Sequence, residues 1–341
     1  MDAHSLPKIE LHLHLDCSLS YEAVSALEPG ITREQYLHDY TAPVRCTLPD
    51  FLSRSRRGVL LLQTREALRL VTEDVVRQLA ADGVIYAEMR FAPLLHLERG
   101  LTAEQVVEVV DSSLEQVILE TGLEARLILC TLRHYTESQS LRTVELVEQF
   151  RGSRVVALDL AGDEAGFPIA AHVAAFRYAR ERGLHYTAHA GEGAGAESVW
   201  ETLRELAPPR IGHGTRSAED ARLVEHLRQE GIHLELCPSA NVQIIPSLGS
   251  WENHPIDRLY RAGVPLNVNS DTRMLTPTSL TREYEGLRRV FGWRAEELLG
   301  TNLMAVDAAF IDENLKRRLR KQLRDGYEEA ADSEPVSHAT Q

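Results

Sequence analysis

The feature that most constrains the fold is a rhythm. Eight short apolar runs rich in β-forming residues recur along the chain, at Ile9–Leu15, Val84–Phe91, Arg126–Leu132, Val155–Leu160, His185–Ala190, Arg210–His213, His233–Cys237 and Val264–Asn269. Between them lie Thr72–Asp82, Thr102–Thr121, Ser138–Phe150, Ile169–Arg182, Ala196–Leu206 and Ala218–Gln229, with apolar residues three and four apart, the helical period. Thr102 before Glu104 and Ser217 before Glu219 mark helix starts, and Gly122, Gly183 and Gly231 mark stops. Eight strands alternating with helices predict a parallel (β/α)8 barrel of the TIM type. An open doubly wound sheet has the same alternation but gives no reason for polar residues at nearly every strand end. The 341 residues contain no Pro/Gly-rich linker, so one barrel over residues 1–331 is expected.

Residues 22–70 break the rhythm with Pro29, Gly30, Pro43 and Pro49, then the run Arg54-Ser55-Arg56-Arg57. A helical insertion after the first strand would stand at the active-site face of a barrel, where it can serve as a lid. The arginines read equally well as a solvated face. Residues 332–341 are polar and aperiodic and read as a frayed tail. A net charge of −14 argues against a grip on nucleic acid or anionic lipid, which favour clustered Lys and Arg. The start Met1-Asp2-Ala3-His4-Ser5 has no secretory pattern, and no run approaches a membrane span. Cys17, Cys46, Cys130 and Cys237 form no C-x-x-C pair, so a reduced, cytoplasmic protein is expected, with Cys130 and Cys237 as small buried hydrophobes.

Chemistry gathers at the strand ends. His12 and His14 lie two apart on the first strand and so face the same side, where both imidazoles can reach one ion. Alone, such a pair serves equally well as a hydrogen-bonded one. The fifth run ends in His189-Ala190-Gly191-Glu192-Gly193, offering a third ligand and, three residues on, a carboxyl able to give and take protons. His213 stands between Gly212 and Gly214, which deprive a packed ring of contacts. Asp271 follows the last apolar run, where an unpaired carboxylate is costly to bury; a metal or hydrogen-bonding role follows. Nitrogen and oxygen donors without thiolate suit Zn²⁺, with Fe²⁺, Co²⁺ or Mn²⁺ as substitutes. Such an ion acidifies a water towards neutral pH, and the reaction class is metal-assisted hydrolytic attack. Glu192 can protonate a substrate nitrogen. His213 can act as a base or as an electrostatic anchor.

Six blocks carry a resemblance. They are Pro7-Lys8-Ile9-Glu10-Leu11-His12-Leu13-His14-Leu15-Asp16, Asp159-Leu160-Ala161-Gly162-Asp163-Glu164, His189-Ala190-Gly191-Glu192, Arg210-Ile211-Gly212-His213-Gly214, Cys237-Pro238-Ser239-Ala240-Asn241 and Asn269-Ser270-Asp271. In this order they resemble the adenosine deaminase family of the amidohydrolase superfamily. The resemblance implies a (β/α)8 barrel, one Zn²⁺ per chain, and hydrolytic deamination of adenosine or 2′-deoxyadenosine to the 6-oxo nucleoside plus ammonia. At the matching positions it implies His12, His14, His189 and Asp271 as zinc ligands. It gives Glu192 the protonation of purine N1 and His213 the orientation or deprotonation of the attacking water. The Gly162 backbone N–H would face purine N3, and Asp16 would lie near the ribose. Read alone, Gly162 serves a tight turn and Asp163-Glu164 a helix cap.

Two positions depart from the family pattern. Cys17 replaces a common glycine close to the expected sugar site. Thr272, followed by Arg273, stands where the family has a second Asp that helps hold the purine; threonine can hydrogen-bond substrate but brings no charge. These departures motivate an alternative, deamination of adenine or a modified adenosine. A third reading is a catalytically weak nucleoside-binding protein, against which the presence of both Glu192 and His213 argues. The expected partners are a small purine nucleoside and water, not nucleic acid or membrane. The remaining histidines, His4, His38, His96 and His338 among them, are expected as surface or packing residues.

Overall fold

The computed structural model describes residues 2–332. Nine strands, all paired in parallel, follow the eight runs: β1 Lys8–His14, β2 Val84–Phe91, β3 Glu124–Leu132, β4 Val155–Ala161, β5 His185–Tyr186, β6 Ala188–Ala190, β7 Arg210–His213, β8 His233–Leu236 and β9 Leu266–Val268. The extra strand comes from the fifth run, which Thr187 divides. Its N–H turns to Leu158 O at 2.9 Å and its hydroxyl to Arg210 O at 3.2 Å. The strands form a five-stranded sheet, β1 to β5, and a four-stranded sheet, β6 to β9. The ladder is therefore not continuous round the ring. Thr187 makes one seam. At the other, Leu13 bridges Asp271, with Asp271 N to His12 O at 2.9 Å and His14 N to Asp271 O at 2.7 Å. The α/β barrel expected from the sequence is present, with interruptions at these two seams.

Parallel strands covered on both faces need apolar residues on both. Leu127, Leu129, Leu158 and Leu160 accordingly are fully buried. The interior also holds charge. Arg90 on β2 meets Asp159 on β4 at 3.1 Å and Glu235 on β8 at 2.7 Å, while Arg210 on β7 meets Glu235 and Glu88, each at 2.7 Å. All five side chains are at most 1% exposed. Arg210 and Glu235 sit on the paired strands β7 and β8, but the other three contacts join strands that are not neighbours and so cross the inside of the ring.

The expected helices form, with adjusted ends. Thr102 caps the helix Ala103–Thr121, but Gln105, not Glu104, completes its capping box. Ser217 is not a helix start: it lies in a short 3-10 turn, and Asp220 caps Ala221–Glu230 through Arg222 N. Gly122 and Gly231 end their helices at φ of 72° and 67°, which glycine adopts without Cβ strain. The irregular segment after β1 folds as α1 Tyr21–Leu27, α2 Arg33–Tyr40, α3 Leu48–Leu61 and the start of α4 Arg65–Ala81. Within the arginine run, Arg57 pairs with Glu28 and Asp39 and lies over the Tyr40 ring. Beyond β9 the chain adds helices Leu280–Phe291, Ala295–Ala308 and Glu313–Asp332. From the second of these, Asn302 accepts the Ile9 N–H at 2.7 Å, bracing β1. The expected tail lies outside the described residues apart from Asp332, which ends the last helix. No described helix is long and apolar enough to cross a membrane.

Candidate active site and metal centre

The carboxyl ends of the strands bring the singled-out residues together. His12 and His14 leave β1 on one face, His189 sits in β6, His213 ends β7, and Asp271 follows β9. The ring centroids of His12 lie 4.6 Å from those of both His189 and His213, and 5.4 Å from that of His14. Single ligand atoms of His12, His14 and His189 fall within 4.8 Å of one another. Asp271 Oδ1 is 3.5 Å from His12 Nε2 and 3.6 Å from His14 Nε2. His213 and Asp271 both adopt positive φ, 61° and 60°, rarely populated by residues with a Cβ. Such strain at two site residues points to a function that needs the placement.

The interior charges aim these rings. Glu235 accepts from His12 Nδ1 at 2.8 Å, and Asp159 from His189 Nδ1 at 3.1 Å. Each ring therefore carries its proton on Nδ1 and turns the Nε2 lone pair into the cluster, the arrangement that second-sphere carboxylates impose on metal-binding histidines. His12 Nε2 is buried without a partner, and His14 Nε2 faces His189 Nε2 at 3.1 Å. A cation between such lone pairs satisfies them all, so the donor set fits a zinc ion. Burial drives His12 well below the ordinary imidazole range and His14 down to about 3, leaving both neutral and ligand-ready. Asp271 is raised to about 6 by burial against the pull of His189 and Arg90.

Cys237, read from the sequence as a buried hydrophobe, lies nearer the centre than expected. Its Sγ groups with His12, His213 and Asp271 within 4.8 Å. Burial raises its thiol well above the ordinary range, so it holds its proton and is a poor ligand beside three imidazoles. His213 in turn is engaged elsewhere. Asn241 Nδ2 donates to its Nδ1 at 3.0 Å, and the amide cannot turn round because Oδ1 accepts from the Cys237 N–H and the Thr215 hydroxyl. The neutral His213 ring thus carries its proton on Nε2, which faces Glu192 Oε1 at 3.3 Å. Burial, then Asp271 and Glu164, push the Glu192 carboxyl well above the usual carboxylate range, so it holds a proton at neutral pH.

A cavity of about 50 Å³ opens onto the cluster. Leu48, Phe51 and Leu52 of α3 and Leu275 form its apolar side; His14, Cys17, Ala161, Gly162, His189, Glu192, His213, Asp271 and Thr272 line the remainder. Gly162 has φ of 101°, and a Cβ there would approach Arg133 N to 3.3 Å, so more than a turn preference fixes it as glycine. The Thr272 hydroxyl is buried without a partner. Asp16 is outside the lining, accepting from Ala92 N at 3.3 Å and facing His96 at 3.6 Å. Arg273 turns away from the cavity, pairing with Asp82 at 2.7 Å.

Sequence reading passed over several residues that shape the site. Asp159, Glu235, Arg90 and Arg210 are recognisable only as charges at alternate positions of otherwise apolar runs. His96, expected as a surface or packing ring, is fully buried against Asp16. Glu164 does not cap the helix that follows it but binds amides of a different loop.

Buried imidazoles and a carboxylate at the carboxyl ends of parallel strands define a metal-dependent hydrolase of the α/β-barrel class. Residues 7–326 match the family described as adenosine deaminase. Adenosine deaminase 1 of Streptomyces coelicolor is 36% identical over 350 residues, covering 95% of this chain and 87% of that one. Among solved structures, adenine deaminase from Arthrobacter aurescens superposes with a TM-score of 0.85 at 27% identity, covering 96% of this chain and 100% of that one. The N6-methyl-AMP deaminase of Arabidopsis thaliana gives 0.84 at 27%, covering 96% and 98%. The chain belongs to the adenosine deaminase family.

Proposed function

We propose that this protein hydrolytically deaminates adenosine and 2′-deoxyadenosine to the 6-oxo nucleosides, releasing ammonia. The observation that carries the reading is the buried Glu192 carboxyl 3.3 Å from His213 Nε2 at the rim of the histidine cluster, in surroundings that favour its protonated form. A pure binding protein has no use for a proton donor there. His12, His14, His189 and Asp271 would hold one Zn²⁺, which when bound supplies a Lewis acid that acidifies water towards neutral pH. Glu192 delivers its carboxyl proton to purine N1, which makes C6 electrophilic as water adds there. The carboxylate so formed takes back one proton of the added water. The other passes to the 6-amino group, which leaves as ammonia when the C6–N bond breaks and C6 becomes a carbonyl. His213, with its proton on Nε2, orients the incoming oxygen as a hydrogen-bond donor and electrostatic anchor. The Gly162 N–H faces purine N3; the family pattern puts Asp16 near the sugar, although here it lies outside the cavity lining, held by Ala92 N and facing His96. Leu48, Phe51 and Leu52 exclude bulk water, which strengthens each of these contacts.

The choice of nucleoside over nucleotide rests on charge. No lysine or arginine stands among the described residues that line the cavity, whereas phosphate recognition draws on such cations. The second reading, adenine or a modified adenosine, rests on the unpartnered Thr272 hydroxyl, a neutral hydrogen-bonding group in the wall where the family pattern has an acid. Rates of the zinc-loaded protein on adenine, adenosine, 2′-deoxyadenosine, an N6-substituted adenosine and AMP decide between them. The two nucleosides are expected to be fastest and AMP poor. No turnover of any aminopurine would replace the enzyme by the binding protein.

A further inference from the structure

Glu164 lies in the loop after β4, yet its carboxylate serves the loop after β6. Oε1 accepts from Gly191 N at 2.7 Å; Oε2 accepts from Glu192 N at 3.0 Å, Gly193 N at 2.7 Å and Ala194 N at 3.0 Å. Four consecutive amides thus converge on one carboxylate that is 7% exposed. Successive N–H groups pointing inward form a nest, and an anion is the partner that suits it. The fit is close: a Cβ on Gly193 would stand 3.4 Å from Glu164 Cβ and 2.8 Å from Leu48 Cδ2. Arg133, from the loop after β3, adds a second hold by donating Nη2 to His189 O at 3.0 Å. The segment that carries both His189 and Glu192 is therefore gripped from outside by an acid and a base on two other loops.

We propose that Glu164 is a positioning residue for the deamination, fixing the backbone of residues 191–194 so that the Glu192 carboxyl is aimed at the substrate ring nitrogen. The inference rests on the role of Glu192 argued above. Gly162, two residues before Glu164 on the same short loop, lines the same cavity. One loop thereby places groups against two edges of the base at once: Gly162 directly, and Glu192 through the nest. Substrate affinity draws on many contacts, but proton delivery depends on the aim of a single carboxyl, so the loss should fall on turnover.

Glu164→Gln keeps the shape but puts an N–H₂ group against amide donors. It should lower kcat about 100-fold with KM changed less than about threefold and zinc content unchanged, the cost of a small misplacement of a reacting group. Hydrogen exchange of the 191–194 amides should accelerate in the same variant, a readout that needs no catalysis. Glu164→Asp, which keeps the charge on a shorter stem, should recover part of kcat and of the protection, and it also carries the test if the glutamine variant does not fold. Unchanged kcat, a rise in KM alone, or unchanged exchange would overturn the proposal. If wild type turns over no aminopurine, the deaminase reading fails, while the exchange experiment still reports whether Glu164 holds the loop.

Discussion

The barrel contains two polar regions a few ångströms apart, and they are built on opposite rules. In the interior beneath the site, Glu88, Arg90, Asp159, Arg210 and Glu235 are sealed from water and paired at 2.7–3.1 Å. Against the opposing pull of burial, His189 and then Arg90 hold Asp159 below the ordinary carboxylate range, and Arg90 with Arg210 holds Glu235 down to about 2. At the mouth, His12 Nε2 and the Thr272 hydroxyl have no partner, Glu192 holds a proton, and His213 and Asp271 sit at positive φ. Paired charges fix geometry. An unpartnered buried atom is not by itself the mark of the mouth, since Arg90 Nε and Arg210 Nη2 lack partners in the interior as well. What sets the mouth apart is that unmet hydrogen-bonding capacity coincides there with positive φ at His213 and Asp271 and faces a cavity.

The contrast can be broken by substitution. Glu192→Gln removes only a transferable proton at the mouth. It should lower kcat about 10²–10⁴-fold with folding and zinc content intact, measured by steady-state rates and metal analysis. Retained turnover would remove Glu192 from its role. Glu235→Gln attacks the interior instead. Breaking a buried pair costs about 3–5 kcal/mol, and releasing a second-sphere partner of His12 should weaken zinc about 10–100-fold, seen in denaturant unfolding and chelator competition. A variant that kept full stability would deny the interior its structural part. Thr272→Val should do the reverse, raising KM for nucleosides less than about tenfold while stability moves by under about 1 kcal/mol, since the lost hydroxyl had no partner. A large fall in stability would show that it belongs with the satisfied set.

A pH-dependent effect is expected at the seam. Burial raises Glu10 from its ordinary 4.5 to about 8, opposed by Arg273 and by the Ser270 hydroxyl and N–H. Between these values the folded protein keeps a proton that the unfolded chain has released. Stability from this group therefore falls as pH rises through the window and levels off above it. Glu10→Gln should flatten that part of the Tm profile; a wild-type slope in the variant would assign it elsewhere.

What the sequence made legible follows from how locally it is encoded. Strand–helix alternation and polar residues at strand ends are periodic, so the barrel and the convergence of His12, His14, His189, Glu192, His213 and Asp271 could be expected. Thr187 could not be placed, because what divides its run is a bond to Leu158 on a neighbouring strand. Glu235 and Arg90 look like solvent-facing positions until closure of the ring encloses them, and their contact spans 145 positions. Glu164 resembled a helix cap because its true partners lie 27–30 residues on. Asp220 displaced Ser217 because two serviceable caps stood three residues apart.

The bridge between Leu13 and Asp271 has a consequence for biosynthesis. The first strand and the segment after the last each carry proposed ligands, and the hydrogen bonds that seat those residues are the ones that join the two. A ribosome-bound chain that has emerged only as far as β8 would lack the fourth donor and the partner that orders His12 and His14. Contacts between positions so far apart form late and slowly. Tight chelation should therefore arise only once nearly the whole polypeptide has been made, which keeps metal away from immature chains.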